Sequence, residues 1–305
     1  MLSDWPLCSI CTIASIWMET VRSVALFGKF PCQDCVQGSF CTSGNVHKTG
    51  GHRDRLCSRI KQETSLDPAP RSPNGFLSSL AADDFELIRQ HLRTADLVQE
   101  HVLVEFGDTL KRAYLPHKGV ISLVVKLARG ENVQVALVGR DSIFGSFSAI
   151  GDATALNSAV VLVPGVASTL DLDRLRAAAD QSATLRATLM RHGLAVYAQV
   201  QQTAGCNASH TVESRLARCL LHTRDLSGSN KLKLTQESMA QMIGARRNSV
   251  SLVANTLQQA NFIRYSRGHI EIIDLDGLRK TSCECYATVK AQYERLLRPV
   301  ADRER

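Results

Sequence analysis

The chain has 305 residues, enough for about two domains, and its 44% hydrophobic content excludes a chain that stays unfolded throughout. The net charge of +7 is concentrated in residues 181–305, which carry 18 basic and 10 acidic residues. The segment from Lys231 to Arg267 contains six basic residues and a single acidic residue, Glu237. This balance indicates either a polyanionic partner, nucleic acid first, or a solvated basic surface.

Residues 1–75 combine cysteine, glycine and polar residues without periodicity and end in the breaker-rich stretch LDPAPRSPNG. This composition predicts a poorly ordered, cysteine-containing extension and linker. The apolar run from Trp5 to Met18 is too short to cross a bilayer, and it has no basic flank of the kind that starts a secretory signal. We therefore expect no membrane association and a cytoplasmic protein with mostly reduced thiols.

Residues 76–180 read as short β-branched runs separated by glycines. The runs are HVLVEFGD, RAYLPHKGVISLVVKL, ENVQVALVGRD and SAVVLV, with breaks at Gly107, Gly119, Gly130 and Gly139. Strands of this length and spacing predict an antiparallel sandwich or jelly roll.

The pattern then becomes helical, and residues 181–206 predict one long helix. Apolar or small residues follow a narrow stripe along it: Leu185, Leu189, Gly193, Val196 and Val200. Such a stripe favours pairing of two helices in a homodimer, with Gly193 allowing two backbones to approach. The alternative is that the stripe packs on the protein's own β domain.

Residues 207–280 predict a helix-turn-helix followed by a wing, and residues 281–305 a C-terminal helix. Thr235 is a suitable N-cap and Gly244 a suitable turn residue. The diagnostic apolar and small positions are Met239, Ala240, Ile243, Ala245, Val250 and Val253. Downstream, NFIRYSRGHIEII predicts a hairpin with a basic tip. An ordinary helical hairpin is the alternative.

The second helix, residues 246–258, leaves one polar face free for double-stranded DNA. Arg247 is placed to read guanine in the major groove, whereas Arg246 and Arg267 are placed for phosphates. Arg246 occupies the position where a Ser or Asp N-cap is usual. The predicted DNA contacts are Thr235, Gln236, Arg246, Arg247, Asn248, Ser249, Ser251, Leu252 and Arg267.

A β-roll, a long pairing helix and a C-terminal winged helix-turn-helix, in this order, resemble the Crp/Fnr family of bacterial transcription regulators. The likeness covers residues 76–280 and is strongest in LTQESMAQMIGARRNSVSLVANTLQQANFIRYSRGHIEI. It implies an α+β fold with an N-terminal double-stranded β-helix (jelly-roll) sensor domain, a long dimerisation helix and a C-terminal DNA-binding domain. It also implies a homodimer that reads a two-fold operator, responds to an effector and contacts RNA polymerase. Arg247 keeps the family's first recognition arginine, while Asn248 replaces an acid and Leu252 a second arginine.

The resemblance also locates a candidate effector site. Cyclic-nucleotide binders of the family carry Phe-Gly-Glu and, further on, Arg-Ser/Thr-Ala. Here the matching residues are Phe144, Gly145, Ser146, Asn157 and Ser158. Without the glutamate for the ribose and the arginine for the phosphate, we expect no cyclic AMP binding.

The cysteines define an alternative, an iron–sulfur redox or oxygen sensor on the same scaffold. Cys32, Cys35 and Cys41 resemble the cluster-binding stretch of the Fnr branch, but a [4Fe–4S] cluster needs four ligands. The position that would supply the fourth holds Ser168. Cys283 and Cys285 are expected to lie on a helix, facing apart, as packing residues. No resident metal or cofactor is therefore expected.

An enzyme is not expected, because no P-loop or Rossmann fingerprint occurs and Ser209 with His210 lacks a completed nucleophilic arrangement. A further alternative, of another class, is a ligand-binding regulatory protein that acts through protein contacts.

Overall fold

The computed structural model describes residues 72–297. Residues 1–71 and 298–305 lie outside the described part. The predicted extension and the proposed cluster ligands Cys32, Cys35 and Cys41 therefore stay predictions. Within residues 72–297 no helix is long and apolar enough to cross a membrane.

The first half is a β-roll preceded by two short helices, in which every strand pairing is antiparallel. The elements are α1 (Gly75–Ser79), α2 (Ala82–Arg89), β1 (Arg93–Leu97), β2 (Val102–Val104), β3 (Arg112–Lys126), β4 (Asn132–Val138), α3 (Ser146–Ile150) and β5 (Ser158–Asp171). The strands lie in the order β1-β5-β3-β4 in the sheet, and β2 pairs with β5. The predicted jelly-roll class of this half is confirmed.

Two local expectations for this half were wrong, and three of its elements were not anticipated. Gly119 does not end a strand, because β3 continues through it with a bulge. Glycine is needed there, since φ is +93° and a side chain would collide with the Val163 carbonyl. The short helices α1 and α2, and strand β1, were not anticipated. Asn74, expected in the linker, is fully buried, and its side-chain amide donates to the carbonyl oxygens of Pro116 and Ser142.

The second half is mainly helical. Its elements are α4 (Leu172–Gln181), α5 (Ala183–Ser209), α6 (Val212–Ser227), β6 (Lys231–Lys233), α7 (Gln236–Ile243), α8 (Arg247–Gln259), β7 (Ile263–Ser266), β8 (His269–Ile272), α9 (Leu275–Thr281) and α10 (Cys285–Leu297). The β-roll and the first part of α5 share one apolar core, while α6 to α9 enclose a second.

The long helix α5 packs with its predicted stripe against its own β-roll. Leu185 and Leu189 are fully buried in the β-roll core, and a side chain at Gly193 would meet the Phe147 ring at 2.5 Å. The prediction that Gly193 brings two helices of a dimer together is therefore wrong. Sequence periodicity identifies an apolar stripe but not the surface that covers it.

A second apolar row on α5 remains exposed. Met190, Leu194 and Tyr197 have 44%, 42% and 52% of their surface accessible. Steps of four and three residues place them in line on one face of the helix, as in the seam of a coiled coil. We refer to Met190, Leu194 and Tyr197 as the exposed seam.

Candidate DNA-binding surface and effector cavity

The helix-turn-helix is built from local signals that the sequence carries. Thr235 caps α7: its hydroxyl accepts from the Ser238 amide at 3.0 Å, while the Ser238 hydroxyl accepts from the Thr235 amide at 2.8 Å. Gly244 ends α7 in the left-handed conformation, with φ +57°. These two predictions are confirmed, and they place α8 directly after a three-residue turn.

The inner face of α7 and α8 is held by apolar burial. Met239, Ile243, Val250 and Leu257 are fully buried, in one core with Leu220 of α6. Burial of each large side chain contributes about 1.5–3 kcal/mol, so the orientation of α8 is strongly fixed. Its opposite face is consequently turned to solvent.

The predicted DNA contacts lie mainly on that solvent face. Arg247 is the first residue of α8 and is exposed, with its Nε 3.4 Å from Oε1 of Gln236. Arg246 stands at the N-cap without a side-chain cap bond, as anticipated. Exposed residues of the set are Thr235, Arg246, Arg247, Asn248, Leu252 and Arg267; half-buried ones are Gln236, Ser249 and Ser251.

Two hydroxyls of the set also have internal partners. Ser251 donates to the Arg247 carbonyl at 3.0 Å, and the Thr235 hydroxyl serves the helix cap. Leu252 is 69% exposed.

The wing is a three-stranded sheet in the order β6-β8-β7. Its tip is a two-residue turn in which Arg267 and Gly268 have φ of +49° and +78°, as in the tight turns that suit antiparallel strands. Arg267 is exposed there. The hairpin was predicted, but its third strand β6 was not, because only the tertiary pairing of Lys231–Lys233 with β8 defines it.

A cavity of about 590 Å³ lies between the β-roll and α5. Four of the five predicted effector residues line it, namely Phe144, Gly145, Ser146 and Asn157. Ser158 does not: its hydroxyl donates to Glu105 at 2.6 Å. The prediction that Ser158 faces the effector is therefore corrected, since β5 turns its side chain to the other side of the sheet.

The cavity wall is mostly apolar. Among its described lining residues the only basic side chain is Arg186, which is paired with Asp180 at 2.9 Å. Met190 and Tyr197 of the exposed seam also line it. The cavity therefore borders two side chains of the exposed seam.

Helix α5 is fastened to the β-roll by polar groups as well. Gln199 donates to the Leu137 carbonyl at 3.2 Å and accepts from the Leu137 amide at 2.5 Å. Nδ1 of His192 lies 3.1 Å from the Ser142 hydroxyl, and burial lowers the pKa of His192 to about 3. The imidazole is thus neutral at physiological pH. These bonds connect the strand end beside the cavity rigidly to α5.

The prediction that Cys283 and Cys285 lie on one helix and face apart was wrong, whereas both are buried, as expected of packing residues. Cys283 precedes α10 rather than lying on it, and both thiols turn inward towards Cys206 and His210 at the end of α5. Two cysteines separated by one residue can direct their sulfurs to the same point at the start of a helix. In the middle of a helix the same spacing would turn them to different sides. The only sequence signal for this cluster was the close spacing of Cys283 and Cys285. The other two members, Cys206 and His210, lie more than 70 residues earlier in the chain.

The fold and its sites together define a DNA-binding regulator, in which a β-roll with a ligand-sized cavity is joined by a long helix to a winged helix-turn-helix. The sequence matches the family model of the cyclic nucleotide-binding domain over residues 96–182. It matches that of the Crp-like helix-turn-helix domain over residues 214–281. The chain belongs to the Crp/Fnr family of transcription regulators.

Solved structures agree in fold. A CRP-family transcriptional regulator from Thermus thermophilus is similar at 20% identity and a TM-score of 0.53, over 62% of this chain and 96% of that one. FixK2 from Bradyrhizobium japonicum is similar at 13% identity and a TM-score of 0.54, over 63% and 98%. The c-di-GMP responsive regulator CLP from Xanthomonas campestris is similar at 14% and 0.52, over 64% and 100%. No curated protein matches the sequence.

Proposed function

We propose that the protein is a cytoplasmic homodimer that binds a two-fold symmetric DNA operator through α8 and regulates transcription by contacting RNA polymerase. The observation that carries the proposal is the first turn of α8, where Arg247 and Asn248 are exposed while Val250 is fully buried. A helix held in this way presents its N-terminal residues to base edges in the major groove.

The exposed seam supports the homodimer. Three large apolar side chains in one row are unusual on a solvated helix, and such rows mark interfaces. Pairing of Met190, Leu194 and Tyr197 with the same residues of a second copy would bury all of them around a two-fold axis. The two α8 helices would then read half-sites about one DNA turn apart.

Selection from a pool of randomised duplexes tests the proposal. We expect the full-length protein to enrich a two-fold symmetric sequence whose half-sites are centred about 10 base pairs apart. The Arg247→Ala protein should enrich the same symmetry with one base pair relaxed in each half. Failure to enrich any symmetric sequence would contradict operator reading by a dimer.

For the effector, we propose a small, largely apolar molecule rather than cyclic AMP. A buried cyclic phosphate needs a cationic side chain that can form two hydrogen bonds with it. Arg186 is the one basic residue among the described cavity residues, and it is already paired with Asp180. Apolar ligands, in contrast, match walls built from residues such as Leu123, Ile143 and Val200.

Thermal unfolding with cyclic AMP provides the measurement. A ligand with a dissociation constant of about 10 µM, added at about 1 mM, would stabilise the folded state by about 2.7 kcal/mol. We expect no such stabilisation, so the melting temperature should stay within about one degree. A concentration-dependent rise of several degrees would overturn the proposal for this cavity.

A further inference from the structure

A second site lies where α5 ends and the DNA-binding domain begins. Four side chains meet there, and their ligand atoms all lie within 4.8 Å of one another: Cys206, His210, Cys283 and Cys285. The sulfurs of Cys206 and Cys283 are 3.5 Å apart, and the Cys285 sulfur is 3.6 Å from Nδ1 of His210. The three cysteines are at most 8% exposed.

The sulfur–sulfur and sulfur–nitrogen distances of 3.5 Å and 3.6 Å are close to those between corners of a tetrahedron around a single ion. With metal–sulfur bonds of about 2.3 Å and metal–nitrogen bonds of about 2.0 Å, tetrahedral geometry places sulfurs about 3.8 Å apart and sulfur and nitrogen about 3.5 Å apart. Three thiolates and one imidazole form a ligand set typical of structural zinc sites. An iron–sulfur cluster would require its cysteines to be spread more widely.

His210 is oriented as a metal-binding histidine. Its Nε2 lies 3.1 Å from Oε1 of Glu284, so Nε2–H donates to the carboxylate and the lone pair of Nδ1 points towards the cysteines. Carboxylates bonded to the distal nitrogen fix the tautomer of metal-bound imidazoles in this way. The Gln202 amide donates to the Cys285 sulfur at 3.0 Å, a bond that stabilises a thiolate.

Arg218 supplies an independent observation. It is 3% exposed, its Nε has no hydrogen-bond partner, and within residues 72–297 no carboxylate lies at ion-pair distance from it. A buried cation without a counter-charge is costly. Its Nη2 donates a hydrogen bond to the Cys219 sulfur at 3.5 Å, and its charge lies near the thiols of Cys219, Cys206, Cys283 and Cys285. Three thiolates and one divalent ion carry a net charge of −1, which is the counter-charge that Arg218 lacks.

We propose that this protein binds one Zn²⁺ ion through three thiolates and one imidazole: Cys206, His210, Cys283 and Cys285. Binding releases the three thiol protons to solvent. The ion fastens the end of α5 to the segment that joins α9 and α10, at the junction through which α5 leads into the DNA-binding domain. Loss of the ion removes this link and loosens the position of the winged helix-turn-helix, although Val289 and Tyr293 of α10 still pack against α5.

Metal content of the full-length chain is measured in a background in which the six N-terminal cysteines are replaced by serine. We expect about one zinc per chain by mass spectrometry, and Co²⁺ added to the metal-free protein should produce the strong visible bands of tetrahedral thiolate coordination. Cys219→Ser, a buried cysteine outside the ligand set, is the matched control and should keep the ion. The double change Cys283→Ser/Cys285→Ser should lose it.

A second variant distinguishes loss of zinc binding from misfolding of the protein. Glu284 is 73% exposed at its side chain, so Glu284→Gln should fold and yet bind zinc about 10–100-fold more weakly in competition with a chelator. Absence of both zinc and cobalt bands in the background protein would overturn the proposal. A Cys206–Cys283 disulfide formed in place of the metal site would overturn it equally.

Discussion

Replacing Leu194 by glutamate should convert the protein into monomers. Leu194 is the middle residue of the exposed seam, and 42% of its surface is accessible in the single chain. In a symmetric dimer two carboxylates would face each other across the two-fold axis, deprived of water and of partners. We expect the dimer dissociation constant to rise at least about 100-fold, equivalent to about 2.7 kcal/mol.

Sedimentation velocity over a range of protein concentrations measures this effect. Val98→Glu is the matched control, because Val98 is a 63% exposed apolar residue outside α5, and its replacement should leave the dimer intact. The Leu194→Glu protein should also bind a two-half-site duplex no more tightly than a single half-site. Unchanged sedimentation of Leu194→Glu would place the interface elsewhere.

Replacing Arg247 by alanine should cost about 1–3 kcal/mol on the selected operator and relax its preference at one base pair in each half-site. The reason for this effect is the position of Arg247 in the helix-turn-helix. Arg247 opens α8, is exposed, and has only a weak bond to Gln236, at 3.4 Å, to give up when it meets a base. Bidentate arginine contacts to guanine carry sequence information that phosphate contacts do not.

Arg267 and Arg264 distinguish this role from general electrostatics. Arg267→Ala at the wing tip should weaken binding to all sequences similarly and flatten the salt dependence by about one unit per lost phosphate contact. Arg264 is held by Glu271 at 3.0 Å and serves as the control, with little expected change. Affinities of the three variant proteins are measured for single-base operator variants at several salt concentrations. These measurements distinguish loss of base reading, loss of a phosphate contact and no effect. If Arg247→Ala weakens every variant equally, Arg247 does not read a base.

The sequence by itself determined the elements whose causes are local. Thr235 at the N-cap, Gly244 in the left-handed turn and the spacing of Met239, Ile243 and Val250 specify the helix-turn-helix within a short stretch of chain. The tight turn at Arg267 and Gly268 likewise specifies the wing hairpin. Helix caps, turns and helical periodicity act over a few residues, and for this reason one sequence is enough to reveal them.

Tertiary structure alone decided which surfaces meet. Helix α5 carries two apolar rows, and only the docking of Leu185, Leu189 and Gly193 onto the β-roll leaves Leu194 and Tyr197 exposed for a partner. Strand β6 exists because β8 lies beside it. The cluster of Cys206, His210, Cys283 and Cys285 forms because α10 folds back along α5. Contacts between residues far apart in the chain depend on the packing of whole elements, which no local pattern encodes.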